Sequence, residues 1–182
     1  CTLVEAGAVH MASELRVTLA GDEARADVWG LYFGDEARKI DLNYVIRQEG
    51  RRTDANMQVR GALLDRSVKT FRGTLDFIQG ARGSVGKEDE EVMLFSPHVR
   101  NRSVPLMLSH EGDVDGHHAV SIGRMDAEKL FYLMSRGLDD RAAQQLIVEA
   151  SFEPVMARIE SEELRAEIAG YLERRLLGGT QE

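Results

Sequence analysis

Hydrophobic and polar residues alternate along much of the first two thirds of the chain. The segment Ile40–Gln48 places an apolar residue at every second position from Ile40 to Ile46, with mostly polar residues between them. A period of two is typical of a β-strand that buries one face. The alternation and the apolar runs predict seven strands: Glu14–Ala20, Ala26–Phe33, Ile40–Gln48, Met57–Leu64, Lys69–Ile78, Glu91–Phe95 and Val104–Leu108.

Short polar or glycine-containing segments separate these strands, and no helical pattern interrupts them. Evenly spaced strands without helices favour a sandwich, a barrel or a β-helix, and periodicity alone does not choose among them. No clean internal repeat is visible. The glycine-rich segment Gly80–Gly86 is interpreted as a loop, and the charged run Lys87–Glu91 as a solvated face rather than a carboxylate metal site.

The pattern changes to helical after Gly123. Asp126 is predicted to cap a first helix over 127–136, and Gly137 to end it in a left-handed conformation. A second helix is predicted to begin at Asp139, and Pro154 is predicted to open a short third turn. The last helix is predicted over Ser161–Leu177, with Gly178 and Gly179 ending it.

The first predicted helix has a dense apolar face. Such a face ordinarily packs in a hydrophobic core. The alternative interpretation is a docking surface for a partner protein. The residues concerned are Leu130, Phe131, Leu133 and Met134.

Composition narrows the classes of function. The chain has 182 residues, the size of one domain or of one core with an appended subdomain, and a net charge of -8. That charge disfavours binding to nucleic acid or to an anionic membrane, and no apolar run approaches the length of a membrane span. The single cysteine, Cys1, excludes an internal disulfide framework and fits a reducing, cytoplasmic setting. Because the chain starts at Cys1 rather than at Met, we expect that upstream residues are missing.

Sequence motifs give little support for catalysis. There is no G-x-S-x-G nucleophile motif and no G-x-x-x-x-G-K-[ST] loop, so we expect no nucleotide to bind to this chain. A histidine- and carboxylate-rich segment spans His110 to His118. It has the residue types of a metal site or a proton relay. The alternative is a polar loop in which one of His117 and His118 is exposed and the other is hydrogen-bonded, because neighbours on an extended strand point to opposite sides.

Several ordered motifs between Gly61 and Ile159 resemble the SufB/SufD family of the SUF iron–sulfur cluster assembly machinery. They are "RGALLDRSVKTFRGTLDF", "VPLML" followed by "GDVDGHHAVSIGRMD", and the helical pieces "LFYLMSRGL" and "AAQQLIVEASFEPVM". The resemblance implies a right-handed parallel β-helix over 1–124 and a C-terminal α-helical subdomain over 125–182. It also implies that the chain pairs through its β-helix, as a homodimer or heterodimer.

The same resemblance implies roles for particular residues. His118 matches a histidine that SufD-type members need for cluster assembly, and it becomes the candidate cluster or metal ligand, with His117 as a weaker one. An essential cysteine of SufB-type members falls near Glu90, and Gly116 replaces a cysteine common in the family. The chain is therefore interpreted as SufD-like, or as a divergent protein that serves both roles.

The resemblance thus predicts a non-catalytic assembly scaffold. Its partners would be a SufC-type ATPase and a second SufB/SufD-family subunit, and a transient iron–sulfur cluster would form at their interface. The candidate ATPase-docking residues are Leu130, Phe131, Tyr132 and Arg136. The alternatives are a β-helix protein that acts on polysaccharide and a purely structural dimerisation module.

Overall fold

A computed structural model of the chain describes residues 1–124 and 127–177. Within them, nine strands alternate between two parallel sheets. The first sheet has the order β1-β3-β5-β7-β9 and the second the order β2-β4-β6-β8. The strands are β1 (Thr2–Glu5), β2 (His10–Leu19), β3 (Arg25–Gly34), β4 (Lys39–Gln48), β5 (Asp54–Leu63), β6 (Val68–Phe77), β7 (Ser84–Leu94), β8 (Arg100–Ser109) and β9 (Val114–Arg124).

This arrangement is a parallel β-helix of about four turns, which confirms the predicted fold class. Each strand pairs in register with the strand one coil later. Paired residues are 29 apart between β2 and β4 and 32 apart between β6 and β8. The varying coil length explains why no fixed repeat is visible in the sequence.

The interior of the β-helix is filled by alternate residues of both sheets, as a period of two requires. Tyr44 and Phe71, on neighbouring strands of the second sheet, meet edge to face with ring centroids 5.5 Å apart. The fully buried apolar side chains of this core include Leu42, Ile46, Met57, Val59, Leu63, Leu75 and Phe77.

Three helices follow the strands: α1 (Ala127–Ser135), α2 (Asp140–Met156) and α3 (Glu162–Leu177). Gly137 has a φ of +100°, as predicted, and the second helix begins beside Asp139. Asp139 caps α2 by accepting a hydrogen bond from the backbone N–H of Ala142 at 2.8 Å. Pro154 lies inside α2 and does not open a new turn, so that prediction was wrong. The predicted helix-terminal roles of Asp126, Gly178 and Gly179 concern positions outside the described residues.

Helices α2 and α3 pack on the outer face of the first sheet. A second apolar cluster joins strand residues Leu31, Phe33 and Ala62 to helix residues, which include Phe152 and Leu172. Arg175 of α3 adds ion pairs at 2.5 Å to Asp35 and Glu36, in the turn after β3. The helical subdomain is therefore linked to the β-helix by both apolar contacts and charge.

The structure extends the strand prediction, most of all at β1, β7 and β9. β1 and β9 were not predicted as strands, and β7 begins at Ser84 rather than at Glu91. The segment interpreted as a loop, Gly80–Gly86, therefore contains the start of β7. The charged run Lys87–Glu91 is not a solvated face throughout, because Glu88 and Glu90 are buried in the β-helix interior.

Replacing Gly61 with Ala should destabilise the protein by about 1 to 3 kcal/mol. A Cβ at this position would lie 1.9 Å from the ring of Tyr32, which is fully buried and cannot withdraw. Urea unfolding of the purified variant measures the loss. Gly21→Ala is the matched control, since no atom lies within 4 Å of its added Cβ, and it should change the unfolding free energy by less than about 0.5 kcal/mol. Equal stabilities for the two variants would contradict the packing described here.

Candidate functional site

A column of inward-facing residues on the first sheet changes from apolar to ionisable towards its last strand. The in-register pairing stacks Val28, Met57, Glu88 and His118 at successive coils. Val28, Met57 and Glu88 are almost completely buried. His118 follows on β9, an edge strand, and its side chain is 25% exposed.

Glu88 and His118 form the central contact of the candidate site. The Nδ1 atom of the imidazole lies 3.0 Å from Oε2 of the carboxylate. The Glu88 side chain is 1% exposed, so this contact joins a desolvated acid to a partly accessible base. Among the described residues, Glu88 is the one that hydrogen-bonds the His118 ring.

Gly73 on the facing strand β6 makes room for the Glu88 carboxylate. A Cβ at position 73 would lie 1.8 Å from Oε1 of Glu88, so any side chain there would displace the acid. Oε1 is buried and has no hydrogen-bond partner among the described residues. The carboxylate is therefore confined between the backbone of one sheet and the imidazole on the other.

Burial changes the proton affinity of both groups. Desolvation, together with the nearby charge of Glu90, raises the pKa of Glu88 to about 7. Desolvation lowers the pKa of His118, because an imidazolium is also disfavoured away from water. Both shifts favour the uncharged forms of the two groups.

Glu90 lies two residues further along β7 and belongs to a separate buried network. Its Oε1 accepts hydrogen bonds from the Lys69 ammonium and, at 3.0 Å, from the Tyr32 hydroxyl. Lys69 also donates to Oγ of Ser103 at 3.1 Å. Burial lowers the pKa of Lys69 against the opposing effect of Glu90, and burial raises the pKa of Tyr32 well above its usual value. Glu90, predicted as a candidate site residue, is thus an interior ion-pair partner.

His117 faces the opposite side of β9 from His118. Its side chain is 60% exposed, and its Nε2 lies 3.0 Å from Oδ1 of Asp115. One histidine is therefore exposed and the other hydrogen-bonded, but on a regular strand and not in a polar loop. In the ranges 1–124 and 127–177, no cluster of three or more His, Cys, Asp or Glu side chains is arranged to hold a metal ion. The metal role of His118 stays a prediction.

The last coil of the β-helix exposes apolar residues along both of its strands. On β8, Val104, Leu106 and Leu108 alternate with inward-facing positions and are 39 to 44% exposed. On β9, Val120 and Ile122 face the same side as His118 and are 38% and 51% exposed. Both strands are edges of their sheets and present unpaired backbone groups.

Helix α1 has no fully buried residue. Phe131 is 74% and Tyr132 56% exposed, whereas Leu130 is partly buried. The guanidinium of exposed Arg136 lies 5.2 Å from the centre of the Tyr132 ring, a cation–π contact. The exposure of Phe131 does not fit the core interpretation of this face.

Comparison with known proteins identifies the family. The family model for the SufBD core domain of SUF system FeS cluster assembly matches residues 1–151. The chain belongs to the SufB/SufD family. This SufB/SufD-family chain is 26% identical to the iron-sulfur cluster assembly protein SufD of Bacillus subtilis, over 90% of its own length and 38% of that protein.

Other relatives of this SufB/SufD-family chain carry the same family description. It is 28% identical to an iron-sulfur cluster assembly SufBD family protein of Mycobacterium bovis, over 92% of the chain and 44% of that protein. It is also 28% identical to one of Pyrococcus horikoshii, over 87% of the chain and 35% of that protein. The chain thus spans less than half the length of these relatives. Among the helices of the described residues, none is long and apolar enough to cross a membrane.

Sequence reasoning missed the residues that surround His118 and Glu90. Glu88, Lys69 and Tyr32 were not singled out, although each is buried and in contact with a candidate residue. The available signal was the alternation of β7, which gives Glu88 and Glu90 the same inward side as Val92.

The burial of Glu88 should make stability depend on pH. Its folded pKa of about 7 exceeds the unfolded value of about 4.3, so the folded state binds the proton more tightly. This contribution is complete below about pH 4.3 and is lost as the pH rises through 7, by up to about 4 kcal/mol. Glu88→Gln should remove it, and urea unfolding of both proteins between pH 4 and pH 8 measures the difference. Parallel pH profiles for the two proteins would show that Glu88 is not desolvated.

Proposed function

We propose that the chain is a SufD-like scaffold component of the SUF iron–sulfur cluster assembly machinery, working in the cytoplasm and not itself catalytic. The observation that supports this best is the His118 imidazole, which is hydrogen-bonded to a buried acid and partly accessible at the edge strand of the β-helix. A neutral imidazole at such an edge can serve as a ligand that a partner subunit completes.

Pairing through the last coil of the β-helix is part of the proposal. The open edges of β8 and β9 supply unpaired backbone groups, and Leu106 and Ile122 add exposed apolar surface beside them. A second SufB/SufD-family subunit that pairs with these edges would cover both. It would also bring its own residues next to His118. The second subunit is either another copy or a different family member.

A transient iron–sulfur cluster would be assembled at this interface between the two subunits. Cysteine thiolates are the usual ligands of such clusters, and Cys1 is the chain's single cysteine. His118 would therefore contribute an imidazole to a site whose thiolates come from outside these 182 residues. The SufD-like assignment rests on this contrast between an imidazole ligand in this chain and thiolate ligands from elsewhere.

Docking of a SufC-type ATPase on the helical subdomain completes the proposal. Helix α1 supports it, because Phe131 and Tyr132 are aromatic, exposed and accompanied by Arg136. Aromatic residues and arginine contribute most of the binding energy in many protein interfaces. Movement of the ATPase would reach the β-helix through the contacts of α2 and α3 with the first sheet.

His118→Ala should impair cluster assembly roughly tenfold or more, because loss of a ligand costs at least as much as loss of its supporting residue. The unfolding free energy should fall by only about 1 kcal/mol, the value of one hydrogen bond. Cluster formation is followed by visible absorption of the complex reconstituted with its partner and ATPase. His117→Ala, on the exposed side of the same strand, is the control and should assemble clusters normally. A His118→Ala chain that unfolds would mean that the residue is structural.

Phe131→Asp and Arg136→Asp should each weaken binding of a co-expressed SufC-type ATPase by about tenfold or more, as expected for interface hot spots. Calorimetric titration of the purified proteins gives the affinities. Val9→Asp is the matched control, because Val9 is 62% exposed and precedes β2, outside the helical subdomain. A chain that pairs with a family member but binds no ATPase would instead be a structural dimerisation module.

A further inference from the structure

We propose that Glu88 is the positioning residue of His118, holding the imidazole as the Nδ1-protonated tautomer so that Nε2 presents its lone pair to an incoming ferrous ion. The identity of the ion rests on the proposed function. The tautomer and its dependence on Glu88 do not, because they follow from the contact of the imidazole with the carboxylate in its ionised form.

The backbone fixes the two residues relative to each other. Glu88 and His118 are direct register partners on the parallel strands β7 and β9, about 4.8 Å apart across the ladder. Their side chains point to the same side, and the resulting Nδ1–Oε2 distance is 3.0 Å. The imidazole therefore cannot turn away from the acid without breaking this hydrogen bond.

The acid is equally constrained from the other side. Gly73 of β6 lies directly against Oε1, in space that a Cβ would fill. The Glu88 side chain is 1% exposed, so water does not compete for its Oε2. The carboxylate is thus a fixed acceptor, built into the β-helix interior by the absence of a side chain at position 73.

The chemistry of the pair then determines the tautomer. An ionised carboxylate can only accept hydrogen bonds, so the nitrogen that faces it must bear the proton. A neutral imidazole with its proton on Nδ1 has its lone pair on Nε2. Among the described residues, none is recorded in a hydrogen bond with Nε2 of His118. A histidine that binds a metal through one nitrogen while donating from the other to a carboxylate is the usual outer-shell arrangement, and its loss costs 10- to 100-fold in metal affinity.

Nitrogen-15 NMR of the histidine side chains tests the tautomer directly in the 182-residue chain. At pH 8.5, where the Glu88 carboxyl is ionised, wild-type His118 should show a protonated Nδ1 and an unprotonated Nε2. Glu88→Met removes the acceptor and keeps the chain length, as at Met57 in the same column. The ring should then change to the Nε2-protonated or a mixed form.

Glu91→Met is the matched control. It makes the same substitution three residues along β7, at a side chain that is 47% exposed, and it should leave the His118 tautomer unchanged. An Nε2-protonated ring in the wild-type chain would overturn the proposal without any variant, even if Glu88→Met fails to fold. An unchanged tautomer in folded Glu88→Met would overturn it as well.

Anaerobic titration with ferrous iron provides the second readout. Glu88→Met should bind Fe²⁺ about 10 to 100 times more weakly than wild type, and Glu91→Met should bind it equally well. Equal affinities of wild type and Glu88→Met would contradict the positioning role. If the tautomer responds as expected but wild type binds no iron, alone or with its partner subunit, the proposed use of His118 is wrong while the role of Glu88 as its positioning residue stands.

Discussion

The cost of burying charge inside a parallel β-helix determines the chemistry of this molecule. Glu88 and Glu90 face the interior because strand geometry assigns alternate residues of β7 to that side. A carboxylate away from water must be neutralised, paired or hydrogen-bonded. Glu90 is paired with Lys69 and accepts from Tyr32, whereas Glu88 has His118 and a pKa near 7. The two acids thus differ in environment because their partners differ.

The buried residues change along the β-helix from mainly apolar in the middle coils to partly ionisable in the later ones. The middle coils enclose apolar side chains such as Leu42 and Met57, which supply the hydrophobic core. The later coils enclose the ionisable residues, and the last one is open along both edge strands. Polar groups are costly in a core, so their concentration next to an uncovered end is consistent with a functional site rather than with a stabilising one.

The sequence predicted those elements that are marked by a local signal within their own residues. The alternation of Ile40–Gln48, the helix end at Gly137 and the helix start at Asp139 are local signals, and the structure confirms them. The start of β7 was missed because five consecutive charged residues resemble a solvated segment. Two of them, Glu88 and Glu90, are buried, and their partners His118 and Lys69 lie in other coils.

The candidate site was predicted only in part, for the same reason. Family resemblance led to His118, but the contact with Glu88 spans 30 residues and depends on the register of parallel strands. No spacing rule within one strand contains that information. Glu90 was selected for its place in a motif, and its burial beside Lys69 became visible only in three dimensions.

The close approach of Gly73 to Glu88 has an evolutionary consequence. A relative with alanine or any larger residue at position 73 must have a shorter side chain at position 88, because a Cβ at position 73 and the Glu88 carboxylate would occupy the same space. The two positions should therefore covary, with glycine accompanying glutamate and bulkier residues accompanying smaller or apolar ones. Lineages that abandon the pair would leave behind a histidine with no anchored orientation.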